Sequence, residues 1–348
     1  MAGIGDLIIT ARRAASLTQE ELATRLGITQ AALSRYENDL REPDAEMLAR
    51  LSRALGLSTD FLSHDFRLRG ALAADAHMRR QKTTKVSEWK TAEARLNLYR
   101  MRSSYLLSRI TIHPENRVPT FDPEDTSPTD AARLVRAQWK MPVGAVKNLT
   151  RWIESAGVVV IEEDFGTRRI DGLSQWAADY PVIMINSGLP PDRKRLTLAH
   201  ELGHLVLHTE FVDDDIEDQA NEFAAELLMP EHVIAPDLVN LTPAKLLAMK
   251  AVWGVSMQAI FERAYRMGKV SKDDRGRFYR TMNSRGWRRA EPGDDRVPVE
   301  TPELARSLGE ALLSRGGMSR DEVARLTGRS SADGEGVFLP ADRRLRSI

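Results

Sequence analysis

The stretch LTLAHELGHLVLH, residues 196–208, decides how the rest of the chain is read. It contains His200, Glu201, Leu202, Gly203 and His204, an H-E-x-x-H pentapeptide. In a helix, positions i and i+4 lie one turn apart on the same face. Two imidazoles at that spacing can reach one metal ion, and the intervening Glu201 stands beside it, able to accept a proton from water. The flanks favour a helix, because Leu196, Leu198, Ala199, Leu202, Leu205 and Val206 supply an apolar surface with no proline among them.

A hydrolytic metal site of this kind uses three protein ligands and keeps one position for water. The following segment, DDDIEDQANEFAAELLMP (213–230), predicts a second amphipathic helix with Ile216, Ala220, Phe223, Ala224, Leu227 and Leu228 as its buried stripe. The pair of helices resembles the gluzincin arrangement, in which the second helix supplies a carboxylate ligand. On that resemblance Glu217 is the third ligand, and Asn221, one turn on, supports the site. Glu222 is the alternative, but it points a quarter-turn or more away from the Glu217–Asn221 line. His208 extends the histidine series, yet each four-residue step drifts by about 40° around a helix. It is therefore expected to pack beside the site or support it. The spacing of a metzincin site is absent.

Composition limits the rest. The chain has 348 residues, enough for two or three domains. It has no cysteine, so disulfides and thiolate metal sites are excluded and any ion must use His and carboxylate. That donor set with an open position suits Zn²⁺ best. No apolar run approaches a membrane span and no signal-peptide pattern opens the chain, so a cytoplasmic location with no membrane partner is expected. The formal net charge is zero, but the distribution is uneven. Residues 79–102 hold eight Lys/Arg against two acids, and 275–289 hold six Arg and no acid. Either stretch could meet phosphates or form a solvated helix face.

Residues 1–64 carry the second strong signal. Short helical patterns are separated by turns. Thr18 can cap a helix with Glu21 at capping-box spacing, Gly27 ends it, and Thr29 can cap the next. Two short helices joined this way form a helix-turn-helix. The runs LTQEELA (17–23), LGIT (26–29) and LSRYEN (33–38) resemble the lambda-repressor-like (Cro-type, XRE) family. The resemblance implies five helices and a homodimer on a double-stranded DNA operator. It puts Gln30, Ala31, Ser34 and Arg35 toward base edges, and Gln19 and Asn38 on the phosphate backbone. Gln and Arg suit adenine and guanine edges, and Ala can touch a thymine methyl. With seven Arg against nine acids the segment is not basic overall, so its non-specific affinity should be weak.

Residues 65–128 read as a basic helical linker, with apolar positions Trp89, Ala92, Leu96, Tyr99, Leu106 and Leu107 expected against the next domain or a second subunit. From 129 to 275 the pattern is mixed. Two helices precede a strand at 157–165, and two more strands lead into the metal helix. An edge strand there could hold an extended peptide by main-chain hydrogen bonds; either 171–174 or 182–186 could be that edge. HELGHLVLH (200–208), EDQANEFAAELLMP (217–230) and RWIESAGVVVIEED (151–164) resemble the ImmA/IrrE zinc metallopeptidases. Joined to a helix-turn-helix, that resemblance implies a bacterial or phage regulator that cleaves a protein partner, typically a repressor, in a stress or mobile-element response. In this reading Zn²⁺ sits on His200, His204 and Glu217, and Glu201 is the general base. The alternative is a repressor or antitoxin-like regulator whose metal domain senses or scaffolds without cutting. His232 is a distant candidate for oxyanion stabilisation.

Residues 242–268 echo a helix-turn-helix, which could be a second nucleic-acid or substrate-docking unit, but they fit better two helices packed under the metal site. Residues 276–348 form a helical C-terminal extension, with Thr301 and Ser319 as expected caps and a loose end beyond Ser330. The fold class expected is multidomain and mainly α: an all-α DNA-reading domain, an α+β gluzincin-like domain with a small sheet, and a helical extension.

Overall fold

The computed structural model describes residues 4–66, 85–209, 215–288, 290–331 and 336–339. Five helices open the chain: α1 (Ile4–Ala14), α2 (Gln19–Leu26), α3 (Gln30–Glu37), α4 (Ala45–Leu55) and α5 (Thr59–Leu62). The local signals act as expected. Thr18 and Glu21 form a reciprocal capping box, Gly27 closes α2 in the left-handed conformation (φ 65°), and Thr29 caps α3. Leu7, Ile8, Leu22, Leu33, Leu51 and Phe61 make the core of this unit.

A 22-residue helix, α6 (Val86–Leu107), follows. It has no single apolar face because it is covered on both sides. Met101 and Tyr105 complete the core of the N-terminal unit, while Ala92, Leu96 and Leu106 lie against a sheet. Two arginines of this basic stretch are used internally, while Lys85 and Lys90 are exposed. Arg100 is buried, with Nε donating to Trp176 O (2.8 Å) and Nη1 to Asn97 Oδ1 (2.6 Å). Arg95 donates to Asp164 O (2.7 Å) and Ala14 O (3.3 Å). Arg79, Arg80 and Lys82 lie outside the described residues.

Helices α7 (Pro128–Gln138) and α8 (Leu149–Ser155) precede β1 (Val159–Glu163), β2 (Gly172–Ala177) and β3 (Tyr180–Asn186). The order is β1-β3-β2, with β1 parallel and β2 antiparallel to β3. The strand at 182–186 is therefore central and paired on both sides, so it is not the edge that could hold a peptide beside the metal helix; among the described residues β2 has no strand on its other side, where Trp176 N donates to Gln175 Oε1 and Trp176 O accepts from Arg100. Both faces of the sheet are covered, in keeping with its near-continuous apolar sequence. Val160, Ile183 and Ile185 face the main core, and Val159, Ile161, Leu173 and Met184 face α6 and the C-terminal extension.

The main core is then built by α9 (Pro191–Leu207), α10 (Ile216–Leu228), α11 (Glu231–Ile234), α12 (Pro243–Trp253), α13 (Met257–Arg266) and α14 (Lys272–Ser284). The stripe expected on α10 is buried throughout. Helices α12 and α13, the echo of a helix-turn-helix, pack into this core through Leu246, Trp253, Met257 and Ile260. They are held by the buried Lys250 ammonium, which faces Asp192 (2.9 Å), Glu291 (3.1 Å) and Asp294.

The extension forms α15 (Leu304–Ser314) and α16 (Arg320–Leu326). Ser319 caps α16 in a capping box with Glu322. Thr301 does not cap α15, which starts later. Its first N–H groups, on Glu303 and Leu304, instead donate to the Glu154 carboxylate of α8 at 2.8 Å. A distant acid serves a helix N-terminus as well as a local hydroxyl does, and no local pattern announces it. The extension reaches both halves of the molecule. Leu304 and Ala305 pack on the sheet, and Ser58 N donates to Gly328 O (3.0 Å) in the N-terminal unit. Beyond Ser330, Phe338 and Leu339 are buried, so this end is not wholly loose.

Candidate metal centre

Helix α9 carries His200, Glu201 and His204 with their side chains inside the protein. The two Nε2 atoms stand 3.0 Å apart. Glu217, in the first turn of α10, faces both, with Oε2 3.5 Å from His200 Nε2 and Oε1 3.3 Å from His204 Nε2. One donor atom from each of the three residues lies within 4.8 Å of the others. Gly203 permits this approach of α9 and α10, since a Cβ there would sit 3.0 Å from the Phe223 ring and 3.3 Å from Ala220 Cα. Glu222 is directed elsewhere and accepts from Thr129 Oγ1 (2.7 Å). His232 is exposed on α11.

The surrounding hydrogen bonds fix which ring nitrogen faces the cluster. His200 Nδ1 lies 3.2 Å from Asn221 Oδ1, so an Nδ1–H can donate there. His204 Nδ1 lies 3.0 Å from His208 Nδ1, and His208 Nε2 lies 2.7 Å from Gln219 Oε1. A single assignment satisfies the series. Gln219 Oε1 accepts from His208 Nε2–H, which leaves His208 Nδ1 to accept from His204 Nδ1–H. Both cluster histidines then present Nε2 lone pairs to each other and to a carboxylate. Three electron-rich groups aimed at one buried point repel unless a cation lies between them, so the donor set fits a divalent metal.

Glu201 sits beside this cluster under strand β2. Ser174 Oγ donates to Glu201 Oε2 (2.7 Å) and lies 3.1 Å from Glu201 O. Two residues back, Gly172 lets the strand pass close over the helix. A Cβ there would lie 2.6 Å from Thr197 Cγ2 and 3.2 Å from Glu201 Cγ and Oε1. Sequence reasoning placed Ser174 only on a candidate edge strand and overlooked Gly172, Thr197 and Gln219 as supports. No local pattern announced them: Gln219 lies two positions from Glu217, on a different face of α10, and Gly172 and Thr197 matter only once β2 lies over α9.

The other expected surface lies on α3. Gln30, Ala31, Arg35 and Asn38 are exposed, and Ser34 is half-buried. Gln30 Nε2 donates to Gln19 Oε1 (2.7 Å), Gln19 Nε2 donates to Glu37 Oε2 (2.6 Å), and Glu37 is paired with Arg12, whose Nε lies 2.5 Å from its Oε1. Asn38 Nδ2 donates to Ser34 O (2.7 Å). Gln30 and Asn38 are thus held by internal hydrogen bonds.

Comparison with known proteins agrees with both halves. Residues 8–62 match the helix-turn-helix family and residues 153–265 match the IrrE N-terminal-like domain. Over 79 residues (19% of this chain, 24% of the relative) the chain is 39% identical to the radiation response metalloprotease IrrE of Deinococcus radiodurans. The corresponding protein of Deinococcus deserti is 38% identical over 79 residues, 28% of its length. Over 59 residues (17% of this chain, 46% of the relative) the chain is 42% identical to the HTH-type transcriptional regulator ImmR of Bacillus subtilis. The chain therefore spans less than half the length of each of these relatives. Among the described residues no helix is long and apolar enough to cross a membrane.

Proposed function

We propose that this chain, a helix-turn-helix DNA-binding domain joined to an IrrE-like metalloprotease domain, is a transcriptional regulator that cuts a protein partner, another DNA-bound repressor, in a stress or mobile-element response. The observation that carries the reading is the convergence of His200, His204 and Glu217 within 4.8 Å, with Glu201 held at their side by Ser174. A site used only to brace the fold has no use for a buried carboxylate in that position.

In this reading His200, His204 and Glu217 hold a Zn²⁺ ion, with Asn221 and His208 fixing the rings. The ion would supply Lewis acidity toward water and the scissile carbonyl. Glu201 takes the proton of the attacking water and delivers it to the departing amine. Ser174 keeps the Glu201 carboxylate aimed, and the side of β2 away from β3 is the main-chain rail along which an extended substrate lies. On the DNA side, Gln30, Ala31, Ser34 and Arg35 read base edges, Gln19 and Asn38 contact phosphates, and two copies of the chain bind a two-fold operator with half-sites about one helical turn apart.

The test is Glu201→Gln. Cells carrying the natural chain should show new protein N-termini on a DNA-binding partner, and cells carrying the variant should not. Operator binding by gel shift and zinc content should be the same in both. If the regulated genes respond equally with either protein, cleavage is not the mechanism, and the metal domain senses or scaffolds instead.

A further inference from the structure

A cavity of about 440 Å³ opens on the far side of Asn221, between α9, α10, α13 and the segment after α14. Its volume is in the range of small-molecule sites. Its walls combine apolar groups such as Leu196, Met229 and Trp287 with an unusual number of charges.

Those charges differ in how fully they are used. Asp192, Glu291 and Asp294 all turn to the Lys250 ammonium. Glu291 also accepts the first N–H groups of α13, from Met257 (2.7 Å) and Gln258 (3.1 Å). Glu262 accepts from Arg275 Nε (2.8 Å) and Tyr279 Oη (2.6 Å). Two of the four arginines are also matched. Arg193 grips Asp171 through two nitrogens (2.8 and 2.9 Å), and Arg263 pairs with the buried Glu226. Arg266 and Arg288 are not matched in this way. Among the described residues the exposed Arg266 faces only the exposed Asp218, at 3.5 Å. Among the described residues Arg288 has no carboxylate partner and lies over the Tyr279 ring, 5.3 Å from its centre. Among the described residues the charged groups of this lining left without a close opposite charge are therefore two exposed guanidiniums, in a wall that also carries Trp287 and Tyr279.

We propose that this cavity binds a carboxylate carried on an apolar or aromatic body, with Arg266 and Arg288 as its anion partners and Trp287 against its body. The carboxylate can belong to a free small molecule or to an acidic residue of the bound peptide. In either case its occupant shares a wall with the metal centre through Asn221, whose Oδ1 lies 3.2 Å from His200 Nδ1. Binding is independent of hydrolysis and can be measured with the reaction silenced.

The experiment uses the full chain with zinc and Glu201→Gln, titrated by calorimetry. The free-molecule probe is 3-phenylpropionate, compared with 3-phenylpropanamide. The peptide probe is blocked Ala-Phe-Glu-Ala, compared with its Gln counterpart. A charge-assisted contact predicts that a carboxylate probe binds about tenfold or more tightly than its neutral partner. Arg266→Glu with Arg288→Glu should abolish the preference, and the two Arg→Lys changes should keep most of it. Preference for phenylpropionate identifies a free ligand, and preference confined to the Glu peptide identifies a substrate side chain. The site is refuted if neither acid outbinds its neutral partner, or if the double Glu variant, with an unchanged melting curve, binds as before.

Discussion

Replacing Gly172 with alanine is the most direct test of how β2 and α9 build the centre. Gly172 lies outside the left-handed region, so alanine suits its backbone and the effect is purely steric. The new methyl would stand 2.6 Å from Thr197 Cγ2 and 3.2 Å from Glu201 Cγ. Carbon atoms prefer roughly 3.5–4.0 Å, so about 1 Å of overlap must be relieved by lifting the strand from the helix. Overpacking of this size costs about 1–3 kcal/mol. The same displacement moves Ser174, two residues along β2, from its 2.7 Å bond to Glu201. Misplacing a catalytic group by an ångström costs on the order of 100-fold in rate. The assay pairs thermal unfolding with cleavage of a peptide substrate. Thr197→Ser supplies the control because it deletes Cγ2 and little else. In that background Gly172→Ala should cost about 1 kcal/mol less, a coupling of the kind expected for groups in contact. If Gly172→Ala is neutral in both assays, or costs the same in the Thr197→Ser background as in the natural chain, the close passage of β2 over α9 is not what positions Glu201.

Further outcomes follow from the other contacts. Glu217→Ala should lower zinc affinity by on the order of 100-fold or more, because it removes a charged donor, while Glu222→Ala should leave it unchanged; metal competition against a chromophoric chelator decides between the two carboxylates. Asn221→Ala and His208→Ala should each weaken zinc binding by about 10–100-fold through loss of ring orientation, and unchanged affinity would remove both from the site. Arg35→Ala should weaken operator binding by about 1–3 kcal/mol with little effect on random DNA, read by gel shift at two salt concentrations. Gly328→Val places a side chain where even a Cβ would be 2.3 Å from the Phe61 ring, at φ +74°, so it should release the extension from α5 and expose residues 304–331 to faster limited proteolysis.

Local chemistry made several elements legible. The capping box at Thr18, the stop at Gly27 and the β-branched run around 182–186 depend on neighbours a few residues away, and each lies where its pattern placed it. The H-E-x-x-H spacing put two imidazoles on one helical face for the same reason. The Glu217–Asn221 pair was reachable through the resemblance to the gluzincin arrangement, with the four-residue step putting both residues on one face of the second helix. Long-range capping was not reachable. Glu154 closes α15 from about 150 residues away, whereas Thr301, the local candidate, does not.

The sequence by itself determined the two kinds of unit in this chain, their helical frameworks and the donor types available to a metal, because periodicity, caps and side-chain chemistry are properties of short segments. Only the tertiary structure decided that β3 is central and β2 the edge, that Ser174 and Gly172 attend Glu201, that His208 and Gln219 orient His204, and that α6 is buried on both sides between the two halves. These depend on which surfaces meet when the chain closes on itself. That choice is made by packing across tens to hundreds of residues, where no repeat or spacing in the sequence records the partner.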